Sequence, residues 1–171
     1  LYFSMWETTE KQTPFLPAGC PHYTAETIPM TTVHRRAGGR WDVKMKVIGH
    51  HAIEARSLSE AEIEARRMMF GLCYFLQTVG YNNIVHDHAR LSSVSPQIGV
   101  REGRRIVGEY VLTTDDVRAG RQFDDAVAVG TYHIDYHWPK ILQRAGTGIT
   151  DPVPTYHIPL RMLVPKGASN S

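Results

Sequence analysis

The sequence predicts an α+β fold: an antiparallel or mixed sheet with one long helix and two short helices. Three patterns predict it. Two β-rich stretches flank a glycine turn, a long segment has apolar residues at helical spacing, and later extended segments are separated by glycines and prolines. At 171 residues and 42% hydrophobic content, the chain has the size of one domain.

The two ends of the chain differ from the middle in sequence composition. Residues 1–5 resemble the remnant of an expression tag and are set aside from fold reasoning. Residues 6–29 contain four prolines without a sustained period, which predicts an extended arm. We therefore expect a single α+β domain over residues 30–167, followed by a short tail at 168–171.

The first predicted elements form a hairpin. Residues 30–36 and 41–48 are rich in β-branched and aromatic side chains, and residues 37–40 between them contain two glycines suited to a turn. In the second stretch Trp41, Val43, Met45 and Val47 alternate with polar residues. This period of two predicts one buried and one solvent-facing side.

The strongest local pattern predicts a helix over residues 60–79. Ser59 and Glu62 have the spacing of a capping box at its start, and Gly80 is placed to end it. Apolar residues follow helical spacing along one side, which indicates a core-facing stripe rather than a cofactor cavity: Ala61, Ala65, Met68, Met69, Leu72, Phe75, Leu76 and Val79.

The rest of the chain predicts short elements. Strands are expected within residues 84–112, where Ile106–Leu112 has strong strand preference. Thr113 or Thr114 is placed to cap a first short helix closed by Gly120, and a second short helix is expected over about residues 123–129. Residues 131–138 and 155–164 are then expected to be extended.

Charge and cysteine usage limit the classes of partner. The formal charge of +2 is spread along the chain, which disfavours nucleic-acid binding. No apolar run is long enough for a membrane span, so a soluble protein is expected. Cys20 and Cys73 are far apart, which favours a reducing compartment and predicts a cytoplasmic location.

A row of polar residues at period two is the first candidate site. If the segment is a strand, His133, Asp135 and His137 project from one face. Imidazole and carboxylate groups suit iron, manganese or zinc, with His86, His88 or His157 as a further ligand. They equally suit substrate orientation and proton transfer, or they satisfy one another on a polar sheet face. The pattern leaves these three interpretations open.

A cluster of arginines is the second candidate site. Arg101, Arg104 and Arg105 lie among glycines, and guanidinium groups bind carboxylates and phosphates through paired hydrogen bonds. The alternative is a solvated face paired with acidic neighbours. No stretch has the glycine spacing of a dinucleotide fingerprint or a phosphate loop, so the chain's own pattern predicts no cofactor-holding element.

A longer run resembles a known family. The segment QIGVREGRRIVGEYVLT, residues 97–113, and the blocks FDDA, HIDYH and YHIPLRMLVPK that follow it in order, resemble the FAD-dependent oxidoreductase family. The resemblance covers roughly residues 55–167. It implies FAD as cofactor, a small organic substrate, and hydride transfer between that substrate and flavin.

The resemblance also implies roles for particular residues. It indicates Arg101, Arg105 and Gly99 as cofactor contacts, Arg104 and Tyr110 as substrate contacts, and the residues of the His-Asp-His row, His133, Asp135 and His137, as catalytic groups near the reacting carbon. The family's nucleotide-binding segments are not found in this sequence. The chain is therefore expected to be a substrate-facing portion, inactive alone, whose two candidate sites share a cleft over a flavin held by segments of a parent chain. A metal-binding domain and a noncatalytic interaction module are the alternatives.

Overall fold

A computed structural model describes residues 1–101, 103–135 and 150–168. For residues 30–31, 135 and 150–151 it describes the backbone only. The described residues form two compact units, one ending at Gly103 and the other starting at Arg104. The sequence was interpreted as one domain over residues 30–167, and that boundary remains a prediction.

The first unit is built on a four-stranded antiparallel sheet. Its strands are β1 (Tyr2–Glu7), β2 (Met30–Arg36), β3 (Arg40–Met45) and β4 (Ala89–Val94), in the spatial order β2-β3-β1-β4. The residues set aside as a tag remnant thus form most of an inner strand, with Phe3 and Met5 almost completely buried. Their origin as a tag stays a prediction, but they belong to this fold.

The predicted hairpin is confirmed. Strands β2 and β3 pair antiparallel, and a 3₁₀ turn at Ala37–Gly39 joins them. Gly38 and Gly39 have φ angles of 74° and 76°, in the left-handed region that glycine adopts without strain. Val43 and Met45 are buried, as the period of two predicted.

The long helix is confirmed, but it starts earlier than predicted. Helix α1 spans Ala55–Thr78, and Gly80, with φ of 88°, follows its end. The predicted capping box is wrong, because Ser59 lies inside the helix and its hydroxyl donates to the Ala55 carbonyl oxygen. The predicted apolar stripe is buried except at Val79, which follows the helix and is 53% exposed. The core of the first unit contains these buried residues: Phe3, Met5, Val43, Met45, Ala65, Met68, Met69, Leu72, Phe75 and Leu76.

A segment without regular strands or helices, residues 8–29, separates β1 from β2. Its start is held by backbone hydrogen bonds from Thr8 to His88 and from Gln12 to Asp87. Further along, the segment packs on α1 at Gly71. A Cβ atom there would lie 2.3 Å from the Pro21 carbonyl oxygen.

The second unit has short elements. Helix α2 spans Thr114–Arg118, and strands β5 (Ala126–Gly130), β6 (Ile134–Asp135), β7 (Thr150–Asp151) and β8 (Tyr156–Pro159) pair as β5-β8 and β6-β7, both antiparallel. A 3₁₀ turn follows at Leu160–Met162. The α+β class is therefore confirmed, with an antiparallel sheet and one long helix.

Two local predictions in this unit are wrong. The second short helix expected near residues 123–129 is the strand β5, so the predicted number of short helices is only partly matched. The strand expected at Ile106–Leu112 is absent in the structure, where Gly108 forms only an isolated bridge with Pro165. A strand needs a continuous partner, and here the hydrogen bonds of the segment go to irregular backbone at residues 161–166.

Much of the apolar surface of the second unit is exposed. Ile106, Val107, Val111, Val129 and Tyr132 are each at least 60% exposed. Among the helices described here, none combines the length and the hydropathy that crossing a bilayer demands.

Candidate functional site

The structure shows part of the His-Asp-His row. His133 is half-buried, and its ring stacks on that of Tyr132 with centroids 4.1 Å apart. Asp135 lies in β6, paired through its backbone with Thr150. His137 lies outside the described residues. The common face of the three side chains, and their catalytic role, remain predictions.

The residues of the arginine cluster are divided between the units. Gly99 and Arg101 belong to the first unit, whereas Arg104, Arg105 and Tyr110 belong to the second. All three arginines are exposed, and Arg101 and Arg105 each already have an interaction partner in the structure. The cleft that the two candidate sites were expected to share stays a prediction.

The segment that leads to Gly99 is anchored on helix α1. The Ile98 backbone N–H donates to Oε1 of Glu62 over 2.6 Å, and Arg66 donates both to the Glu62 carboxylate and, over 3.0 Å, to the Pro96 carbonyl oxygen. These bonds hold the pKa of Glu62 below its ordinary value against the opposing effect of its desolvation. The start of the arginine-bearing segment is therefore fixed by a charged pair on α1.

A polar cluster of the second unit surrounds Asp116, which is only 6% exposed. Thr113 caps α2 through a reciprocal capping box with Asp116, as the sequence predicted for Thr113 or Thr114. Asp116 Oδ2 also accepts a hydrogen bond from the Tyr110 hydroxyl over 2.6 Å, and Oδ1 accepts one from Arg121 over 2.7 Å. One buried carboxylate thus joins three segments of the chain.

Two guanidinium groups cover the aromatic side of this cluster. The rings of Tyr110 and Phe123 meet edge to face with centroids 5.2 Å apart. The Cζ atoms of Arg121 and Arg161 each lie 5.1–5.9 Å from both ring centroids, within the range of cation–π attraction. We call these side chains, with Asp116 and Thr113, the Asp116 cluster.

Residues 157–166 form hydrogen bonds with the backbone and side chains around the same cluster. The backbone N–H of Arg161 donates to Asp125 Oδ2 over 3.2 Å, and the backbone N–H of Tyr110 donates to the Arg161 carbonyl oxygen over 3.2 Å. The backbone N–H of Phe123 donates to Nδ1 of His157 over 3.1 Å. Residues 107–110 and 157–166 are therefore held together by several independent bonds.

The electrostatics of the cluster are set by Asp116. Hydrogen bonds from Tyr110, Thr113 and Arg121 hold the pKa of Asp116 well below its ordinary range. The hydrogen bond to this carboxylate raises the pKa of Tyr110 above its ordinary value. At neutral pH the phenol is therefore protonated and donates a hydrogen bond to the carboxylate, so it does not act as a base.

This geometry changes how Tyr110 can contact a substrate. Its hydroxyl is already engaged by Asp116, with Arg121 Nη1 3.2 Å away. What the Asp116 cluster offers chemically is rigid positioning of the segment that follows Arg104 and Arg105. The Thr113 cap was predictable from the sequence. The contacts of Arg121 and Arg161 were not predicted, because nothing in their local spacing indicates that they meet the same rings.

Among the residues that the structure describes, no group suits a metal ion, and the glycines at positions 99 and 103 do not form a dinucleotide-binding turn. Within residues 1–101, 103–135 and 150–168, no three His, Cys, Asp or Glu side chains are grouped to hold a metal ion. Gly99 and Gly103 lie in irregular backbone and do not open a helix. A pyrophosphate cradle needs backbone N–H groups at such a helix start, so these residues do not by themselves fit FAD.

Comparison with known proteins identifies the family. The model of the FAD dependent oxidoreductase family matches residues 3–170, almost the whole chain. This chain therefore belongs to the FAD-dependent oxidoreductase family. Neither the curated proteins nor the solved structures contain a match to it.

Proposed function

We propose that this chain is the substrate-facing portion of an FAD-dependent oxidoreductase that transfers a hydride between a small organic substrate and flavin. The observation that carries the proposal is the family match over residues 3–170. The flavin supplies the redox chemistry, and the protein contributes positioning, proton management and exclusion of water. Because the described residues do not fit the dinucleotide, we assign its binding to segments of a longer parent chain.

The Asp116 cluster supports a positioning role for the second unit. In the second unit it anchors the backbone that follows Arg104 and Arg105, and in the first unit the Glu62–Arg66 pair anchors Ile98, which precedes Arg101. Within each unit, a guanidinium group near an anchored backbone can bind an anionic group with less loss of conformational entropy. In this proposal Arg101 and Arg105 contact the flavin with Gly99, and Arg104 and Tyr110 face the substrate.

The exposed apolar side chains of the second unit also support the proposal. Val107, Val111 and Val129 are 60–66% exposed, so these apolar side chains are available for burial by another segment. A flavin-binding segment of the parent chain would cover such a surface. His133, half-buried beside Tyr132, is the described member of the proposed catalytic row.

The cofactor assignment is tested by comparing this chain with the longer polypeptide that we propose contains it. Both are purified, desalted and examined for flavin absorbance and metal content. We expect stoichiometric FAD in the longer protein and none in the 171-residue chain. Flavin retained by the short chain, or its absence from the longer one, contradicts the proposal, and stoichiometric iron, manganese or zinc favours the metal-binding alternative.

The residue roles are tested by variants of the longer protein. Arg105→Ala should lower its flavin content, whereas His133→Ala should keep the flavin but slow its anaerobic reduction by substrate, by about 10²-fold or more if His133 transfers a proton. Arg90→Ala, on an exposed position of β4, is the control and should change neither property. Normal flavin content in Arg105→Ala and normal reduction in His133→Ala would remove the two assignments.

A further inference from the structure

A cleft in the first unit lies apart from the residues used in the proposed function. Its volume is about 740 Å³, and it lies between the irregular segment around Cys20–Thr27, helix α1 and the chain following β3. This volume is in the range of pockets that hold small organic ligands.

The wall of the cleft is held in place before any ligand arrives. The Pro21 backbone and the Tyr23 ring pack so closely on Gly71 that a Cβ atom there would lie 2.3 Å and 2.9 Å from them. The Thr24 backbone N–H donates to the Thr27 hydroxyl over 2.9 Å, which closes the turn of the same segment. A preformed wall lowers the conformational cost of binding.

The charged side chains that line the cleft differ in whether they already have a polar partner. Glu64 accepts a hydrogen bond from His50 over 2.7 Å, Glu26 accepts one from Thr24 over 2.6 Å, and Lys46 has an interaction partner. Arg67 also lines the cleft, and its guanidinium forms no hydrogen bond or ion pair with the residues that the structure describes. The charged group of the cleft that remains available to a ligand is therefore the Arg67 guanidinium, which attracts anions.

The other lining groups suit an organic ligand. Met68, Ile48, Pro21 and Pro29 supply apolar contact area. Burial raises the pKa of Tyr23 to about 12, so its phenol remains neutral and is an available hydrogen-bond donor at physiological pH.

We propose that this cleft binds a small organic carboxylate, with Arg67 gripping the carboxylate and Met68 and Ile48 contacting an apolar body. Guanidinium matches a carboxylate through two parallel hydrogen bonds, whereas an uncharged amide of the same shape offers no such pairing. The proposal does not depend on flavin.

The test uses 3-phenylpropionate and its amide as probes, with binding measured by titration calorimetry at neutral pH. We expect the acid to bind the unmodified chain about tenfold or more tightly than the amide, because a hydrogen bond to a charged group contributes that much. Arg67→Gln should weaken binding of the acid by a similar factor and abolish the preference for the acid over the amide. Arg56→Gln, on the same helix but outside the cleft, is the matched control and should bind like the unmodified chain.

Three results overturn the proposal: no binding of the acid, equal binding of acid and amide, or undiminished binding by Arg67→Gln. Circular dichroism of each variant checks that the fold is kept, and the exposed position of Arg67 favours this. Since no flavin is present, a negative result leaves the proposed oxidoreductase function standing, and absence of flavin in the parent chain leaves this cleft proposal standing.

Alkylation gives a second readout at the cleft itself. Cys20 lines the cleft and is partly exposed, while Cys73 is buried and burial raises its pKa to about 12. Iodoacetamide should therefore modify Cys20 first. Saturating 3-phenylpropionate should slow this modification in the unmodified chain and not in Arg67→Gln, and an unchanged rate in the unmodified chain contradicts the proposal.

Discussion

At the scale of single residues, Asp116 is a buried carboxylate, and both of its oxygens accept hydrogen bonds. It accepts hydrogen bonds from Tyr110, from the Thr113 backbone and hydroxyl, and from Arg121. A buried carboxylate is tolerated only when its lone pairs are used in this way. Asp116 therefore stabilises the local backbone beside Tyr110, one of the proposed substrate contacts.

Replacing Asp116 should destabilise the second unit. In Asp116→Asn the ion pair with Arg121 is lost and the amide cannot accept all the present donors, so we expect a melting temperature lower by several degrees. The matched control is Asp115→Asn, an exposed neighbour on the same helix. Equal melting temperatures of the two variants, measured by calorimetry, would contradict the assignment.

The same residue predicts a pH dependence. Its pKa is depressed in the folded state, so its stabilisation is fully present above the ordinary Asp pKa of about 3.9 and is lost as the pH falls toward the folded value. Melting temperatures measured from pH 6 downward should therefore fall less steeply for Asp116→Asn than for the unmodified chain. A parallel decline in both proteins would exclude Asp116 as a source of acid sensitivity.

At the scale of elements, helix α1 organises the first unit by three contacts on different sides. Its apolar stripe packs on the sheet, Glu62 and Arg66 hold the segment at Pro96–Ile98, and Gly71 admits the backbone of Pro21. The first contact was predictable from periodicity. The other two depend on residues that are far from the helix in sequence.

Gly71→Ala tests the third contact. Alanine is normally better than glycine inside a helix by about 0.5–1 kcal/mol. Here the new methyl group meets the Pro21 carbonyl oxygen at 2.3 Å, a backbone atom that cannot rotate away. We therefore expect the opposite sign, a loss of about 1–3 kcal/mol in the free energy of unfolding.

Denaturant unfolding followed by tryptophan fluorescence measures this loss, because Trp6 and Trp41 both lie in the first unit. Ser59→Ala is the control, since Ser59 is exposed within the same helix. It should be close to neutral. A stabilised Gly71→Ala would show that the irregular segment does not pack there in solution.

At the scale of the whole molecule, burial is concentrated in the first unit. Its core joins one helix and four strands, whereas the buried described residues of the second unit are Gly108, Asp116, Phe123, Gly130 and Pro159. Apolar burial is the main stabilising term in folding. The two units should therefore differ in local stability.

Hydrogen exchange followed by mass spectrometry measures this difference. We expect the amides in the middle of α1, around Leu72–Phe75, to exchange slowest, and those of β5 and β8 to exchange much faster. In the longer parent chain that we propose, protection of β5 should rise if another segment covers Val127 and Val129. Equal protection of α1 and β5 in the short chain would contradict the inferred distribution of stability.

The sequence by itself determined the features that depend on local periodicity and local caps. The hairpin of β2 and β3, the core-facing stripe of α1, its end at Gly80 and the Thr113 cap were all predicted from neighbouring residues. The run of arginines and the later blocks indicated the family that the comparison then showed. These features need only a few consecutive residues to be specified.

Only the tertiary structure decided the features that depend on distant partners. The Ala-Val-Ala-Val run of β5 suits either a helix or a strand, and pairing with β8 made it a strand. Tyr2–Glu7 became an inner strand because β3 and β4 offered two free edges. Asp116, Arg121 and Arg161 meet around two aromatic rings because chain folding joins separate segments, and no spacing along the sequence encodes that contact.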